Sequence, residues 1–446
     1  MFMTDKNTPL SRLQRYARTT SLAGGLASKL AAEKLFGIKI SRADHAAQLT
    51  AALGNLRGPL MKVAQLLATI PEALPPEYVA EFQKLQAQAP SMGWPFVKRR
   101  MQAELGVDWE SKFKSFDRVA AAAASLGQVH KAVTHGGINV ACKLQYPDMQ
   151  SAVEADLKQL KLAFTIFESY DKTINAKYIL QELSDRLYEE LDYEHEAKNG
   201  ALYSHMLRNV PQVSVPQTVP ELSGPRLLTS HWLQGDKILD FKDAPLATRN
   251  TLAKNLFYAW YVPFYHYGVI HGDPHLGNYN VRPDLGINLL DFGCIRIFPP
   301  SFVQGVLELY RALATNDNDL AAHAFELWGF KNLSKDLLAV LLVWAKFLYR
   351  PLLEDKVQTM GQSAQGQVYG REVALKVHAD IQALGGGVAV PREFVFMDRA
   401  ALGLGSVFIH LQAEINWYQL FQELAGSFDV DKMAQQQQAA LKLVGL

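Results

Sequence analysis

The chain has 446 residues, of which 49% are hydrophobic and 20% charged, and its formal net charge is +1. This composition is typical of a globular protein with a sizeable core, and the near-neutral charge disfavours nucleic acid as a partner. The two cysteines, Cys142 and Cys294, are too few for a disulfide framework or a zinc knuckle. We find no uninterrupted apolar run of about 18 residues, the length of a membrane span, so we expect a cytoplasmic protein that meets a membrane at most peripherally.

Residues 1–40 are predicted as a basic arm that contains Arg12, Arg15, Arg18 and Lys29. Such an arm fits docking on an anionic membrane, an organelle transit peptide or a solvated segment, and these alternatives stay open. Residues 41–110 are predicted as a helical extension, in which Lys62 and Gln65 share a helix face. A lysine on such a face usually extends to water, so this spacing alone gives Lys62 no role.

Strand signals characterise residues 111–235. The stretch Ala120 to Gln128 indicates a strand, a small-residue loop and a second strand, and Asn139 to Gln145 alternates around Lys143. In a kinase-like fold such a loop covers the phosphates of ATP and the following lysine holds them. Alanine limits how closely the backbone approaches phosphate, so we expect a stiffer loop than a glycine loop. The loop residues predicted to bind the cofactor are Ala122, Ala123, Ala124, Ser125 and Gln128.

One long helix is predicted from about Tyr178 to Met206, and it carries Glu190, Asp192 and Glu196. Asp192 and Glu196 are four residues apart and share a face, whereas Glu190 lies on another. Clustered acids are usually a solvated surface, but the place of these acids, just before the catalytic stretch, favours a site role for at least one of them.

A strand and turn are predicted from Arg226 to Gly235, where the chain joins two lobes. His231 and Leu233 are the expected contacts to adenine. A helix from about Leu246 to Tyr267 follows and leads into the catalytic stretch.

The catalytic stretch runs from His271 to Gly293. Asp273 is followed five residues later by Asn278 and, after a predicted hairpin, by Asp291-Phe292-Gly293. A kinase-like fold uses this arrangement to hold ATP and Mg²⁺. Asp273 is expected to orient or deprotonate the nucleophile, while Asn278 and Asp291 supply oxygen ligands for the metal.

Two further interpretations, one of the histidines and one of the cysteines, have weaker support. The triplet His271-x-Asp273-x-His275 is compatible with a hydrolase metal site, but no second histidine group supports it. Cys142 and Cys294 both flank site motifs, either as small packed residues or as thiols near the nucleotide.

Residues 236–446 are predicted as a helix-rich lobe, with a helix near Ser301 to Thr315 and a Gln-rich stretch, Gln435 to Gln438, expected to be exposed. No Ala-Pro-Glu follows the Asp-Phe-Gly, although protein kinases use that tripeptide to build the platform for a peptide substrate. A protein substrate is therefore disfavoured.

Taken together, these motifs closely resemble the UbiB/AarF family of atypical kinase-like ATPases, which is linked to ubiquinone (coenzyme Q) biosynthesis. The resemblance covers roughly Leu53 to Phe298 and rests on these motifs: Lys62-Val63-Ala64-Gln65, Ala120 to Gln128, Val140-Ala141-Cys142-Lys143, Glu190-Leu191-Asp192, Glu196-Ala197-Lys198-Asn199, His271 to Asn278 and Asp291-Phe292-Gly293. It implies an α+β, two-lobe protein-kinase-like fold with a helical N-terminal extension and a helix-rich C-terminal lobe.

The resemblance also implies roles that spacing does not give. In that family the extension folds over the active site and occludes the position of a protein substrate, so Lys62 gates the site and Gln65 contacts it. Glu190 and Asp192 are then their partners, and Glu196 pairs with Lys143. Two departures are that Ala64 stands where the family usually has Gly, and that a C-terminal pair of membrane helices found in some bacterial members is missing.

The resulting expectation is an atypical kinase-like ATPase that uses ATP and Mg²⁺ and supports ubiquinone biosynthesis. Its expected partners are ATP and ADP, with ubiquinone-biosynthesis enzymes and a peripheral membrane or isoprenoid-lipid contact left open. The alternatives are a small-molecule phosphotransferase, which a similar His-Gly-Asp loop would serve, or a nucleotide-binding scaffold with little turnover.

Overall fold

The computed structural model describes residues 92–124, 126–147, 149–168, 176–273, 275–331, 333–360, 376–377, 380 and 391–446. Of the predicted site residues, Lys62, Gln65 and Ser125 lie outside this described part. The chain divides into two compact units. The first contains the described residues up to Tyr193 together with Val219–Thr229, and the second contains Glu194–Thr218 and Ser230–Leu446. Residues 194–218 therefore group with the second unit, and the predicted lobe boundary after residue 235 stays a prediction.

The first unit is built on a five-stranded sheet. Its path runs β1-β3-β4-β6, with β2 paired to β3, and the strands are β1 (Phe113–Phe116), β2 (Ala122–Ala124), β3 (Gly127–Thr134), β4 (Asn139–Gln145) and β6 (Leu227–His231). In β4, Val140, Cys142 and Leu144 are fully buried while Lys143 lies on the other face, because successive side chains of a strand alternate. The predicted Lys143 strand and the β2–β3 strand-loop-strand are thus both present.

Three helices accompany this sheet: α1 (Trp94–Leu105), α2 (Met149–Glu168) and α3 (Ala176–Glu189). The single long helix expected from Tyr178 to Met206 is wrong, because α3 ends at Glu189 and the next helix, α4 (Tyr193–Met206), belongs almost wholly to the second unit. The Gln145 side chain donates to the Leu191 carbonyl at 2.6 Å, so that carbonyl is used outside a helix. Asp192 precedes α4 and does not share a helical face with Glu196 as we expected.

The second unit is mainly helical and is centred on α5 (Leu246–Tyr267), whose bounds match the prediction. Further helices with described bounds are α6 (Pro300–Thr315), α7 (Asn318–Leu327), α8 (Lys335–Leu353), α9 (Arg392–Leu411), α10 (Trp417–Ala425) and α11 (Val430–Val444). A single apolar core joins them, and its largest fully buried side chains are Tyr203, Phe257, Trp260, Phe264, Phe298, Phe302, Phe325 and Trp417. Among the described residues, no helix is both long enough and apolar enough to span a membrane.

Short strands at one side of α5 position the catalytic stretch. One sheet has the order β5-β10-β9-β7, and two further pairs are β11-β8 and β12-β13. The strands are β5 (Val213–Ser214), β7 (Asp236–Lys237), β8 (Val269–His271), β9 (Tyr279–Val281), β10 (Ile287–Leu289), β11 (Ile295–Ile297), β12 (Gln358–Thr359) and β13 (Glu414–Ile415).

The C-terminal helix α11 is attached to the end of α5. The Gln437 side chain donates to the carbonyls of Tyr267 at 2.7 Å and Phe298 at 2.8 Å. Of the Gln-rich stretch expected to be exposed, Gln435 and Gln438 are exposed, whereas Gln437 is half-buried and binds backbone carbonyls. Gly268 ends α5 in the left-handed conformation, with φ of 63°, beside this contact.

We predict that Gly268→Ala lowers the free energy of unfolding by about 1–3 kcal/mol, because alanine is strained at positive φ. Its Cβ would also lie 2.5 Å from Met433 Cε and 2.8 Å from the Phe298 carbonyl oxygen. Urea unfolding followed by circular dichroism measures this. Gly445→Ala is the control, since Gly445 has φ of 71° with no atom within 4 Å of the added Cβ. Equal losses in the two variants would contradict the tight contact at Gly268.

Candidate active site

His271 joins the two ends of the catalytic stretch. It is the last residue of β8, is only 2% exposed, and pairs with Ile295 across the β8–β11 ladder. Its Nδ1 accepts the backbone N–H of Asp273 at 3.2 Å, so Nε2 carries the proton and donates to the Asp291 carbonyl at 2.6 Å. This one imidazole therefore fixes the backbone of both predicted catalytic aspartates.

Asp273 and Asn278 lie five residues apart and are joined by a hydrogen bond. The Asn278 side-chain amide donates to the Asp273 carbonyl at 3.1 Å, which leaves its Oδ1 as an acceptor. The Asn278 backbone carbonyl accepts from Leu290 at 2.8 Å, which ties this loop to the residue before Asp291. Both side chains are partly exposed, so they are accessible to a ligand.

Asp291 follows β10, and one oxygen of its carboxylate accepts the Gly293 backbone N–H at 3.0 Å. Glu196, on α4, is 4% exposed, and its Oε2 lies 3.9 Å from the position of a Cβ built on Gly293. The structure thus brings Glu196 to the Asp-Phe-Gly segment. On the same helix, Asn199 donates to the Phe292 carbonyl at 2.9 Å, and this contact was not anticipated from the sequence.

The oxygen donors of Asn278 and Asp291 suit a hard divalent cation whose remaining ligands come from phosphate. Mg²⁺ commonly takes one or two carboxylate ligands and finds its other oxygens on phosphates and water. Within the described residues, no three His, Cys, Asp or Glu side chains converge into a metal cluster. His271 is not a metal ligand, because both of its ring nitrogens are engaged by backbone, and this removes the His-x-Asp-x-His alternative.

Lys143 occupies the centre of β4 in the first unit, where it is paired in register with Val129. Its Nζ lies 5.2 Å from the centre of the Tyr193 ring, at a distance suited to a cation–π contact. Lys143 and Glu196 belong to different units, so their ion pair stays a prediction.

The Ala-rich segment forms one arm of a tight hairpin. Ala122, Ala123 and Ala124 pair with Val129, Gln128 and Gly127, and the first two alanines are exposed. A side chain on Gly127 would overlap the Leu144 carbonyl oxygen, so only glycine fits there.

Gln128 is completely buried. Its side chain accepts from the Met92 backbone N–H at 2.7 Å and lies 2.8 Å from the Nε2 of His130. These contacts give Gln128 a structural role in the hairpin, and its predicted contact to the cofactor stays a prediction.

In the segment predicted to contact adenine, two backbone groups form hydrogen bonds within the protein. The His231 backbone N–H donates to the Gln217 carbonyl at 2.8 Å, so this N–H is not free for adenine. The Leu233 carbonyl accepts from the Asn280 side chain at 3.5 Å.

Arg100 supports the lysine strand, and the sequence pattern did not single it out. This buried guanidinium donates to the carbonyls of Gln145 at 3.1 Å and Tyr146 at 3.2 Å, at the end of β4. It also pairs with Glu104 at 3.4 Å. The sequence around Arg100 gives no signal of this role, because the two carbonyls that it binds are 45 and 46 residues away along the chain.

Cys142 is a packed core residue. It is fully buried in β4, and the Thr229 hydroxyl donates to its Sγ at 3.7 Å. Burial raises the pKa of this thiol to about 12. The structure therefore supports the interpretation of Cys142 as a small packed residue.

The catalytic loop and the lysine strand together define a protein of the kinase-like class. The model of the ABC1 atypical kinase-like domain matches residues 84–325, which is more than half of the chain. The chain belongs to the ABC1 atypical kinase-like family, which confirms the family expected from the sequence motifs.

Relatives and a solved structure agree with this assignment. The chain is 29% identical over 322 residues to "Atypical kinase COQ8, mitochondrial" of Saccharomyces cerevisiae, covering 69% of this chain and 63% of that one. It is 32% identical over 270 residues to "AarF domain-containing protein kinase 1" of Mus musculus, covering 59% and 51%. A third relative, "Protein ACTIVITY OF BC1 COMPLEX KINASE 7, chloroplastic" of Arabidopsis thaliana, is 32% identical over 283 residues, covering 63% and 41%. The chain thus spans about half the length of these relatives.

The solved structure titled "The complex structure of Rv3197-erythromycin from Mycobacterium tuberculosis" has a TM-score of 0.60 and 25% identity. The similarity covers 89% of this chain and 98% of that chain. The expected α+β, kinase-like fold is therefore confirmed.

We predict that His271→Leu lowers the free energy of unfolding by about 2–4 kcal/mol, because it leaves the partly buried Asp273 N–H and Asp291 carbonyl without their partner. Urea unfolding measures the loss. His275→Leu is the matched control on the same loop, since His275 is exposed and its ring accepts only the nearby Gly277 N–H. If both variants lose the same stability, His271 does not hold the loop as described.

We predict that Cys142 resists alkylation by iodoacetamide in the folded protein up to about pH 9. A thiol with a raised pKa stays protonated, and only the thiolate reacts. Peptide mass spectrometry follows labelling of Cys142 across pH 7 to 10, with the same titration in urea as reference. Native labelling as fast as labelling in urea would show that the thiol is neither buried nor shifted.

Proposed function

We propose that this protein binds ATP with Mg²⁺ and catalyses phosphoryl transfer from ATP, either to water or to a small acceptor. The observation that supports this most directly is the joint anchoring of Asp273 and Asp291 by His271. A phosphoryl-transfer site depends mainly on positioning and on charge stabilisation, and this anchoring fixes the backbone of both residues before any ligand arrives.

Four of the predicted site residues have distinct roles in this proposal. Asn278 Oδ1 and the Asp291 carboxylate would hold the metal ion, which supplies positive charge to the phosphate oxygens. Lys143 would bind the phosphates from β4. As the acceptor oxygen bonds to the γ-phosphorus and the bond to the bridging oxygen of ADP breaks, the Asp273 carboxylate would take the acceptor's proton.

The biological role we propose is support of ubiquinone biosynthesis. The relatives named above include the atypical kinase COQ8 of yeast. The absence of Ala-Pro-Glu in the sequence favours water or a small molecule over a protein as acceptor. Occlusion by the extension through Lys62, Gln65, Glu190 and Asp192 belongs to the same proposal, as do a peripheral contact with an isoprenoid-lipid membrane and ubiquinone-biosynthesis enzymes as partners.

We predict that Asp291→Asn lowers Mg²⁺-dependent phosphate release from ATP by at least about 100-fold, because it removes a carboxylate from the metal site. The assay compares purified proteins with and without anionic lipid vesicles. Stimulation of the wild-type protein by vesicles supports the membrane part of the proposal.

Asp284→Asn is the matched control for this assay. Asp284 lies in the turn of the same β9–β10 hairpin, is exposed, and pairs with Arg282 at 2.9 Å. This variant should keep the wild-type rate. ATP binding without release above the Asp291→Asn background, with or without vesicles, would reject the hydrolase and favour a nucleotide-binding scaffold or a phosphotransferase that needs its own acceptor.

A further inference from the structure

The segment from Leu191 to Tyr193 lies against the face of β4 that carries Lys143. Successive side chains of a strand alternate, so Lys143 and Gln145 leave β4 on the same face. The Gln145 side chain donates to the Leu191 carbonyl at 2.6 Å. Two residues away on each segment, Lys143 Nζ lies 5.2 Å from the centre of the Tyr193 ring. Because all of these residues belong to the first unit, the bond of Gln145 helps to set which residue of the segment faces the lysine.

The Tyr193 side chain is held firmly in this place. Only 2% of the residue is exposed. Its hydroxyl oxygen lies 3.2 Å from the position of a Cβ built on Gly127, which pairs with Ala124 where β3 begins. Tyr193 therefore reaches from the lysine to the hairpin that is predicted to cover the phosphates.

The side chain of Lys143 is costly to order by comparison. A lysine ammonium stands on a flexible stem of four carbons, which loses rotamer entropy when it is fixed. The face of an aromatic ring attracts a cation, and this attraction is larger where water is excluded. Lys143 is half-buried and Tyr193 is buried, so their contact is partly shielded from water. The ring thus orders the ammonium before any ligand arrives.

Contact with the ring leaves the ammonium able to bind phosphate. An ammonium has three N–H donors, and the ring covers only the side that is turned towards it. The same lysine can therefore contact the Tyr193 ring and phosphate oxygens at once. A group that is ordered in advance binds its ligand more tightly, because less entropy is lost on binding.

We propose that Tyr193 is a positioning residue for Lys143, and that its ring, rather than its hydroxyl, holds the ammonium where phosphate oxygens bind. Tyr193 acts through the lysine and need not touch the nucleotide. The effect on nucleotide affinity rests on the proposed function, because it takes Lys143 as the residue that binds phosphate. The contact between ring and ammonium does not depend on that function and is tested separately.

NMR on the purified full chain, labelled with ¹³C in its lysines, tests the contact itself. An aromatic ring shields nuclei that lie over its face, so the ε-methylene protons of Lys143 should resonate upfield of those of exposed lysines. The Lys143→Arg variant assigns this signal by removing it. We expect Tyr193→Phe, which keeps a ring, to retain the upfield position. Tyr193→Leu should move the signal to the range of exposed lysines.

Calorimetric titration with ADP in the presence of Mg²⁺ measures the effect on affinity without turnover. Tyr193→Leu should weaken ADP binding by at least about fivefold, whereas Tyr193→Phe should change it by less than about twofold. Tyr258→Leu is the matched control and should keep the wild-type affinity. In the second unit, Lys254 Nζ lies 5.7 Å from the Tyr258 ring, and neither residue is assigned to the nucleotide. Thermal unfolding confirms that each variant is folded.

Several results would overturn the proposal. A wild-type Lys143 signal at the position of exposed lysines would do so without any variant of Tyr193. An upfield signal or a wild-type ADP affinity in folded Tyr193→Leu would do so as well. Equal losses of affinity in Tyr193→Phe and Tyr193→Leu would assign the effect to the hydroxyl instead of the ring. If the wild-type protein binds no ADP but its Lys143 signal shifts as expected, the ring contact is confirmed and the nucleotide function is rejected.

Discussion

The two hydrogen bonds of His271 are the interaction on which the rest of the site depends. Asp273 and Asp291 are eighteen residues apart, and the hairpin β9–β10 between them is short and partly exposed. The buried imidazole of His271 contacts the backbone of both aspartates. In addition, β8, which ends at His271, pairs with β11, which follows Asp291 in the chain. The helix α5 precedes β8 and carries much of the apolar core, so the position of the loop follows from the packing of the second unit.

Local sequence patterns predicted the elements that depend on residues close to one another in the chain. The alternation around Lys143 predicted β4, and the helix expected from about Leu246 to Tyr267 matches α5. The spacing of Asp273, Asn278 and Asp291 predicted the catalytic loop, and the catalytic roles of these residues stay a prediction. The resemblance to a known family supplied the family assignment, which is confirmed. It also implied that Glu196 pairs with Lys143, and this role stays a prediction, although the structure places Glu196 beside Gly293.

The features that the sequence did not predict depend on contacts between distant residues. The break between α3 and α4 follows from the bond of Gln145 to the Leu191 carbonyl, across 46 positions. The supports provided by Arg100, Asn199 and Gln437 are likewise bonds to the backbone of remote segments. A propensity or a periodicity contains no information about such partners.

The most direct test of the central claim is a crystal structure with Mn²⁺ and a non-hydrolysable ATP analogue, in which anomalous scattering locates the metal. The account predicts one metal ion about 2.1–2.2 Å from Asn278 Oδ1 and from an Asp291 carboxylate oxygen, with its remaining ligands on the triphosphate and water. It further predicts that His271 keeps both backbone hydrogen bonds. A metal and triphosphate bound away from Asn278 and Asp291 would contradict it.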